Sequence, residues 1–207
     1  LVMELGGRLQ IDPLLALLTT TALVLLDSPT RSAPRVRLAW LLVGFAMLAK
    51  GPVALLIVAV VLLAWRWVTG ARHSADLPAL QPAHPTVDPL SILLLFAPVL
   101  AWAGAAILLE PDLVRPLLFD QHAGRVTSGS AAPHARPWYN HLVSVPALVL
   151  PWTGLVVAGL VAAGKAARRR PGGDAGLVRA ALWFGVLLLF FSAIPPKRNL
   201  YLLPAYP

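Results

Sequence analysis

Asp12, Lys50, Arg125, Lys197 and Arg198 are the charged residues of this chain whose surroundings suit chemistry at a membrane edge, and His122, Trp138, Tyr139 and Tyr201 lie close to them in sequence. Lysine holds a phosphate as a compact point charge, and arginine grips one with two parallel hydrogen bonds. Histidine transfers a proton or ligates a metal, and a carboxylate at a bilayer edge orients a hydroxyl or holds a cation. The segment from Phe119 to Arg125, followed by Pro133 to His141, packs His122, His134 and His141 with Arg125 and Arg136 beside Trp138 and Tyr139. Lys197 and Arg198 stand between Pro195-Pro196 and the run Asn199 to Pro204, which contains Tyr201.

These residues need a frame, and composition supplies it. Of 207 residues, 58% are hydrophobic and 13% charged, with mean hydropathy +0.74. That leaves too few polar groups to cover a water-soluble globule, so the chain reads as an all-α, polytopic integral membrane protein. The net charge of +8 is spread over short loops between apolar runs and forms no continuous basic face, which argues against a nucleic-acid partner. With no cysteine, disulfides, Cys-ligated zinc, iron–sulfur clusters and thiol nucleophiles are excluded. There is no Walker motif and no Gly-rich dinucleotide fingerprint. The chain opens at Leu1 without an initiator Met and stops at Pro207 inside an apolar stretch, so a fragment of a longer polytopic protein is expected.

Apolar runs lie at about 13 to 26, 37 to 49, 52 to 68, 90 to 109, 142 to 163 and 177 to 194, and a seventh begins near 200, giving six to seven transmembrane helices. Lys50-Gly51-Pro52 is either a turn between two helices or a kink in one. Loop charge favours the turn. It puts Arg31, Arg35 and Arg37 on the same side as Arg66, Arg72, Lys165 and Arg168 to Arg170, as the positive-inside rule requires. Asp12, Lys50, the loop 110–141 and Lys197-Arg198 then face the periplasm or cell exterior. The stretch 69–89, with Pro78, Pro82, Pro85 and Pro89, becomes a cytoplasmic linker.

Each residue also has a plain reading. Asp12 precedes Pro13 and suits an N-cap with proline at the first helical position. Lys50 closes an apolar run, where an ammonium meets the helix dipole or snorkels to the headgroups. Trp138 and Tyr139 suit an aromatic belt as well as the face of a sugar. Asp120, His122 and His134 are the candidate metal ligands. Lys197 and Arg198 fall on the outer side, where the positive-inside rule does not account for them, and an anion partner would.

Taken in order, the motifs resemble the membrane core of the GT-C glycosyltransferases, and within them the bacterial aminoarabinose lipid A transferases and protein O-mannosyltransferases. The resemblance is carried by Arg8 to Leu15, Leu48-Ala49-Lys50-Gly51-Pro52, Gln121-His122 through Arg125, His134 through Tyr139, Leu150-Pro151-Trp152-Thr153, and Pro196 through Pro204. It implies an inverting transfer of a sugar from a polyprenyl-phosphate donor to a lipid, protein or glycan acceptor on the outer face of a bacterial inner membrane. Asp12 would match a catalytic acidic position, and Lys50, Arg125, Lys197 and Arg198 would match basic positions for the donor phosphate, with Tyr201, Trp138 and Tyr139 lining the substrate. The resemblance implies a divalent metal ion as the candidate cofactor, held in part by His122, although Gln121 stands where many relatives have an acid. The acidic residue usually assigned as catalytic base would lie before Leu1, so this stretch alone is expected to be inactive. The rival reading is a transporter or flippase of a polyprenyl-linked or anionic substrate, in which Asp12 relays a proton or cation. A non-catalytic scaffold would leave the outward cations without a role.

Overall fold

The computed structural model describes residues 11–28, 32–71, 87–109, 112, 137–168 and 175–193. Seven helices occupy them: α1 (Asp12–Asp27), α2 (Ala33–Lys50), α3 (Val53–Ala71), α4 (Pro89–Leu109), α5 (Asn140–Leu148), α6 (Thr153–Arg168) and α7 (Ala175–Ala193). The described chain is thus all-α, and the runs read at 13 to 26, 37 to 49, 52 to 68, 90 to 109 and 177 to 194 are helical where they are described. Among the described residues, 89–109 and 176–193 are long and apolar enough to cross a membrane, Val53–Arg66 is a shorter apolar helix, and the α5–α6 pair would make a third span if counted as one. The expected span near 200, most of the linker 69–89 and most of the loop 110–141 lie outside the described residues.

Prolines start the helices and glycine stops one. Pro13 and Pro34 occupy first-turn positions of α1 and α2, where the missing N–H costs nothing. α2 ends because Gly51 takes φ 73°, a left-handed conformation that favours glycine, and its N–H donates to the Met47 carbonyl at 2.6 Å. Pro52 then opens α3, which takes its first backbone bonds from Ala54 to Gly51 and Leu56 to Pro52.

The chain forms two compact units. One holds residues 11–58 and the described part of 82–135. In it α1 presents Leu15, Thr19, Ala22, Leu23 and Leu26, one stripe at helical spacing, to α2. α2 buries Val36, Ala39, Trp40, Val43, Gly44 and Ala46 between α1 and α4. Its contact with α4 is close at Gly44, where an added Cβ would strike the backbone carbonyl of Leu95 and fall 3.2 Å from that of Leu94. Pro98 lies in the same stretch of α4: it has no N–H to donate to the Leu94 carbonyl, four residues back, and its ring carbon would lie 3.1 Å from the added Cβ. Arg37 meets Asp88 as Gly44 meets Leu95, so α2 and α4 run parallel.

The other unit holds residues 59–71, 137–168 and 175–193 of the described chain. Here α7 packs on α5 and α6, and Trp65 stands edge-on to Trp183, with ring centroids 6.4 Å apart at 75°. The run 142–163, read from sequence as one span, is broken: α5 and α6 meet at 117° across Val149 to Trp152, and the Leu150-Pro151 peptide is cis. Apolar content did not reveal this because the break is itself apolar. The turn is held by Thr153, whose hydroxyl donates to the Pro146 carbonyl at 2.6 Å, and by the Trp152 N–H to Val149 at 2.7 Å.

Candidate functional site

α1 starts and α2 ends at one place. The Lys50 ammonium donates to Oδ1 of Asp12, and the two side chains are 22% and 15% exposed. Each charge sits where its own helix favours it, the carboxylate in the first turn of α1 and the ammonium in the last turn of α2. Antiparallel packing of the two helices brings those ends together. Partial burial makes the pair mutually dependent, because removing one partner leaves the other charge short of both water and counter-ion.

This changes the plain reading of Asp12. The cap position of α1 is Ile11, in a helical conformation, and no side chain caps the helix. Asp12 is the first helical residue and its carboxylate is turned to Lys50. Lys50 in turn is not simply snorkelled into solvent, since its ammonium is held between helices. An anion entering here would meet a cation fixed in place by a carboxylate.

A second acid–base group was not singled out from the sequence. Asp88 caps α4: its Oδ1 accepts from the Ser91 N–H at 2.7 Å and from the Ser91 hydroxyl, while its Oδ2 accepts from Arg37 Nε at 3.0 Å and Arg37 Nη2 at 2.9 Å. The Ser91 bonds, and after them Arg37, pull the Asp88 carboxyl from its ordinary 3.8 down to about 2. A signal for it was present, since Asp88-Pro89 repeats the Asp12-Pro13 step with a serine three residues on.

Of the residues read as site candidates, Asp12 and Lys50 are brought together. Trp138 and Tyr139 lie in the other unit, in the turn before α5, edge-on to one another at 5.9 Å and 84°, and 67% and 50% exposed. His122, Arg125, Lys197, Arg198 and Tyr201 lie outside the described residues, as do Asp120 and His134. Among the described residues no three His, Cys, Asp or Glu side chains converge as metal ligands. His141 is fully buried in the first turn of α5, which sets it apart from the neighbouring exposed aromatics.

The frame has counterparts among known proteins. The crystal structure of ArnT from Cupriavidus metallidurans bound to undecaprenyl phosphate superposes with a TM-score of 0.69 at 21% identity, over 94% of this chain and 34% of that one. No protein-family model matches the chain. An undecaprenyl phosphate-α-4-amino-4-deoxy-L-arabinose arabinosyl transferase of Pseudomonas fluorescens is 30% identical over 208 residues, covering 96% of this chain and 34% of the relative. A transferase of the same description from Proteus mirabilis is 31% identical over 211 residues, covering 99% and 35%. The fold is that of the GT-C membrane glycosyltransferases. The chain belongs, within that class, to the aminoarabinose lipid A transferase family its motifs resemble, and it spans about a third of the length of the curated relatives it matches.

Proposed function

We propose that this chain is part of the donor-binding core of an inverting membrane glycosyltransferase that takes a pentose from a polyprenyl-phosphate carrier and delivers it to a lipid A-type acceptor on the outer face of a bacterial inner membrane. The observation that carries the reading is the Asp12–Lys50 pair, a cation held by a carboxylate at paired helix ends. It is supported by likeness to transferases named for undecaprenyl-phosphate donors and by a fold shared with one bound to undecaprenyl phosphate. Both relatives are named as transferases, which favours this reading over the flippase.

In the proposed reaction an acceptor oxygen or nitrogen attacks the anomeric carbon, a carboxylate takes its proton, and the bond from that carbon to the phosphate oxygen breaks. The polyprenyl phosphate leaves with the bonding electrons. Lys50 meets that developing negative charge without having to reorganise, since Asp12 already holds its ammonium in place. Asp12 also offers its second oxygen to a sugar or acceptor hydroxyl. Arg125, Lys197 and Arg198 are assigned to the same phosphate, Tyr201, Trp138 and Tyr139 to the sugar and acceptor, and the prenyl tail to apolar helix faces.

The test supplies labelled polyprenyl-phosphate pentose to membranes holding the protein at its full natural length. A transferase consumes the donor and labels lipid, whereas a flippase would move it unchanged and a scaffold would ignore it. Unchanged or ignored donor across a panel of sugars would overturn the proposal.

A further inference from the structure

α2 and α4 lie side by side in one register. Arg37 pairs with Asp88, just before α4, and seven residues further along each chain Gly44 approaches Leu95. Another seven residues along each chain stand Gly51, which ends α2, and Trp102. The stripe of α4 turned to α2 leads to the same residue. Ser91 and Leu95 are buried, the Pro98 ring would lie 3.1 Å from a Cβ added at Gly44, and Trp102 follows one turn later at helical spacing.

Trp102 differs from the rest of that stripe in being open: Leu95 is 7% exposed and Trp102 43%. The cause is where α2 stops. Lys50 is its last residue, so α4 runs on past the end of its neighbour. Seven residues of α4 follow Trp102, two turns or about 10 Å. The end of α2 is also where Lys50 meets Asp12. Trp102 therefore stands on the helix beside that pair, at the same level along α2.

The ordinary uses of tryptophan in a membrane do not account for this one. An aromatic belt sits at the headgroups, whereas Trp102 is two turns inside the end of the apolar span 89–109. A packing role would bury the ring, as Trp40 is buried in α2. Contact with an apolar tail asks only for aliphatic side chains, which α4 exposes at Leu100 and Leu108. An indole adds a flat apolar face with an N–H at its edge. That shape matches a sugar ring, apolar across one face and hydroxylated at its rim, held beside a charged pair.

We propose that Trp102 is the platform on which the sugar ring of the donor lies, in the site anchored by the Asp12–Lys50 pair. On the donor-binding reading above, on which this rests, Lys50 takes the phosphate and Trp102 the sugar face. The carrier phosphate left after transfer has no sugar to stack, so its affinity is independent of Trp102.

The test measures equilibrium binding of two radiolabelled ligands, a polyprenyl-phosphate pentose and undecaprenyl phosphate without a sugar, to the full-length protein in detergent. Trp102→Ala should bind the sugar-bearing donor about tenfold more weakly than wild type and the bare carrier phosphate equally well. Trp102→Phe, which keeps a flat ring, should retain most of the affinity for the sugar-bearing donor. Trp102→Leu keeps bulk without a flat face; it should behave as Trp102→Ala and takes its place if that variant fails to fold, as judged by helical circular dichroism. Wild-type binding of the sugar-bearing donor by the folded Ala or Leu variant, or an equal loss for both ligands, would overturn the proposal and leave the donor-binding reading standing. Wild type that binds neither ligand would overturn both.

Discussion

Two Asp-Pro steps mark the starts of α1 and α4, and they put the same carboxylate to different uses. Asp88 stands one residue before its helix, caps it through Ser91, and gives its other oxygen to both nitrogens of one face of Arg37. Asp12 stands inside its helix, caps nothing, and leans on Lys50. One residue of offset decides this. A cap position points the carboxylate back at its own N–H groups, whereas the first helical position points it outward to a neighbour. A carboxylate with both oxygens occupied pins helices together. Asp12 meets Lys50 through one oxygen, and it is this pair that is proposed to face the donor phosphate.

The sharpest way to break the comparison is at the lysine. Lys50→Ala should lower sugar transfer by the full-length protein on the order of 10²- to 10³-fold, the usual cost of losing one preorganised charge at a leaving oxyanion. Arg37→Ala, at the other pair, should leave the turnover of correctly folded protein near wild type. Transfer rates normalised to folded protein decide between them. If both fall equally, the two pairs do not differ in the way proposed.

Next is the contact that lets α2 and α4 lie side by side. Gly44→Val should destabilise the folded protein by about 1–3 kcal/mol, because the new side chain meets backbone carbonyls that cannot swing away. Thermal unfolding in detergent would show it as a lower midpoint. An unchanged midpoint would mean the helices separate more easily than the close approach implies.

A smaller effect is expected from acid. The Asp88 carboxyl is pulled below its ordinary value, to about 2, so its contribution to stability is complete above about pH 4 and is lost as the pH falls toward 2. Asp88→Asn should flatten that part of the stability-versus-pH curve and leave neutral pH less affected. A wild-type slope in the variant would show that other carboxyls govern acid unfolding. The smallest effect should come from Trp138→Phe, which keeps an exposed ring in the turn before α5 and should alter stability by no more than about 0.5 kcal/mol.

Much of this was legible in the sequence, for a physical reason. Long apolar runs bounded by proline and glycine leave the backbone little choice but helix, and α1, α2, α3, α4 and α7 fall close to where the runs do. Lys50-Gly51-Pro52 was readable because three residues give one message: a cation for the helix end, a glycine for φ above zero, a proline for the restart. The break between α5 and α6 was hidden because Val149, Leu150 and Trp152 are as apolar as the helices they separate. Long-range partners were also hidden. Nothing local to Asp12 says that a lysine 38 residues away in sequence will meet it, and nothing local to Gly44 says that the backbone carbonyls of Leu94 and Leu95 will lie against it. Arg125, His122, Lys197, Arg198 and Tyr201, proposed for the rest of the site, lie outside the described residues and rest on their sequence motifs alone.

The most direct test of the account is equilibrium binding of radiolabelled undecaprenyl phosphate to the full-length protein, with Lys50→Ala and Arg37→Ala beside wild type. A charge-assisted bond to the phosphate predicts at least about tenfold weaker binding in Lys50→Ala and wild-type binding in Arg37→Ala. Equal binding by all three folded proteins would contradict the assignment of Lys50 to the donor phosphate.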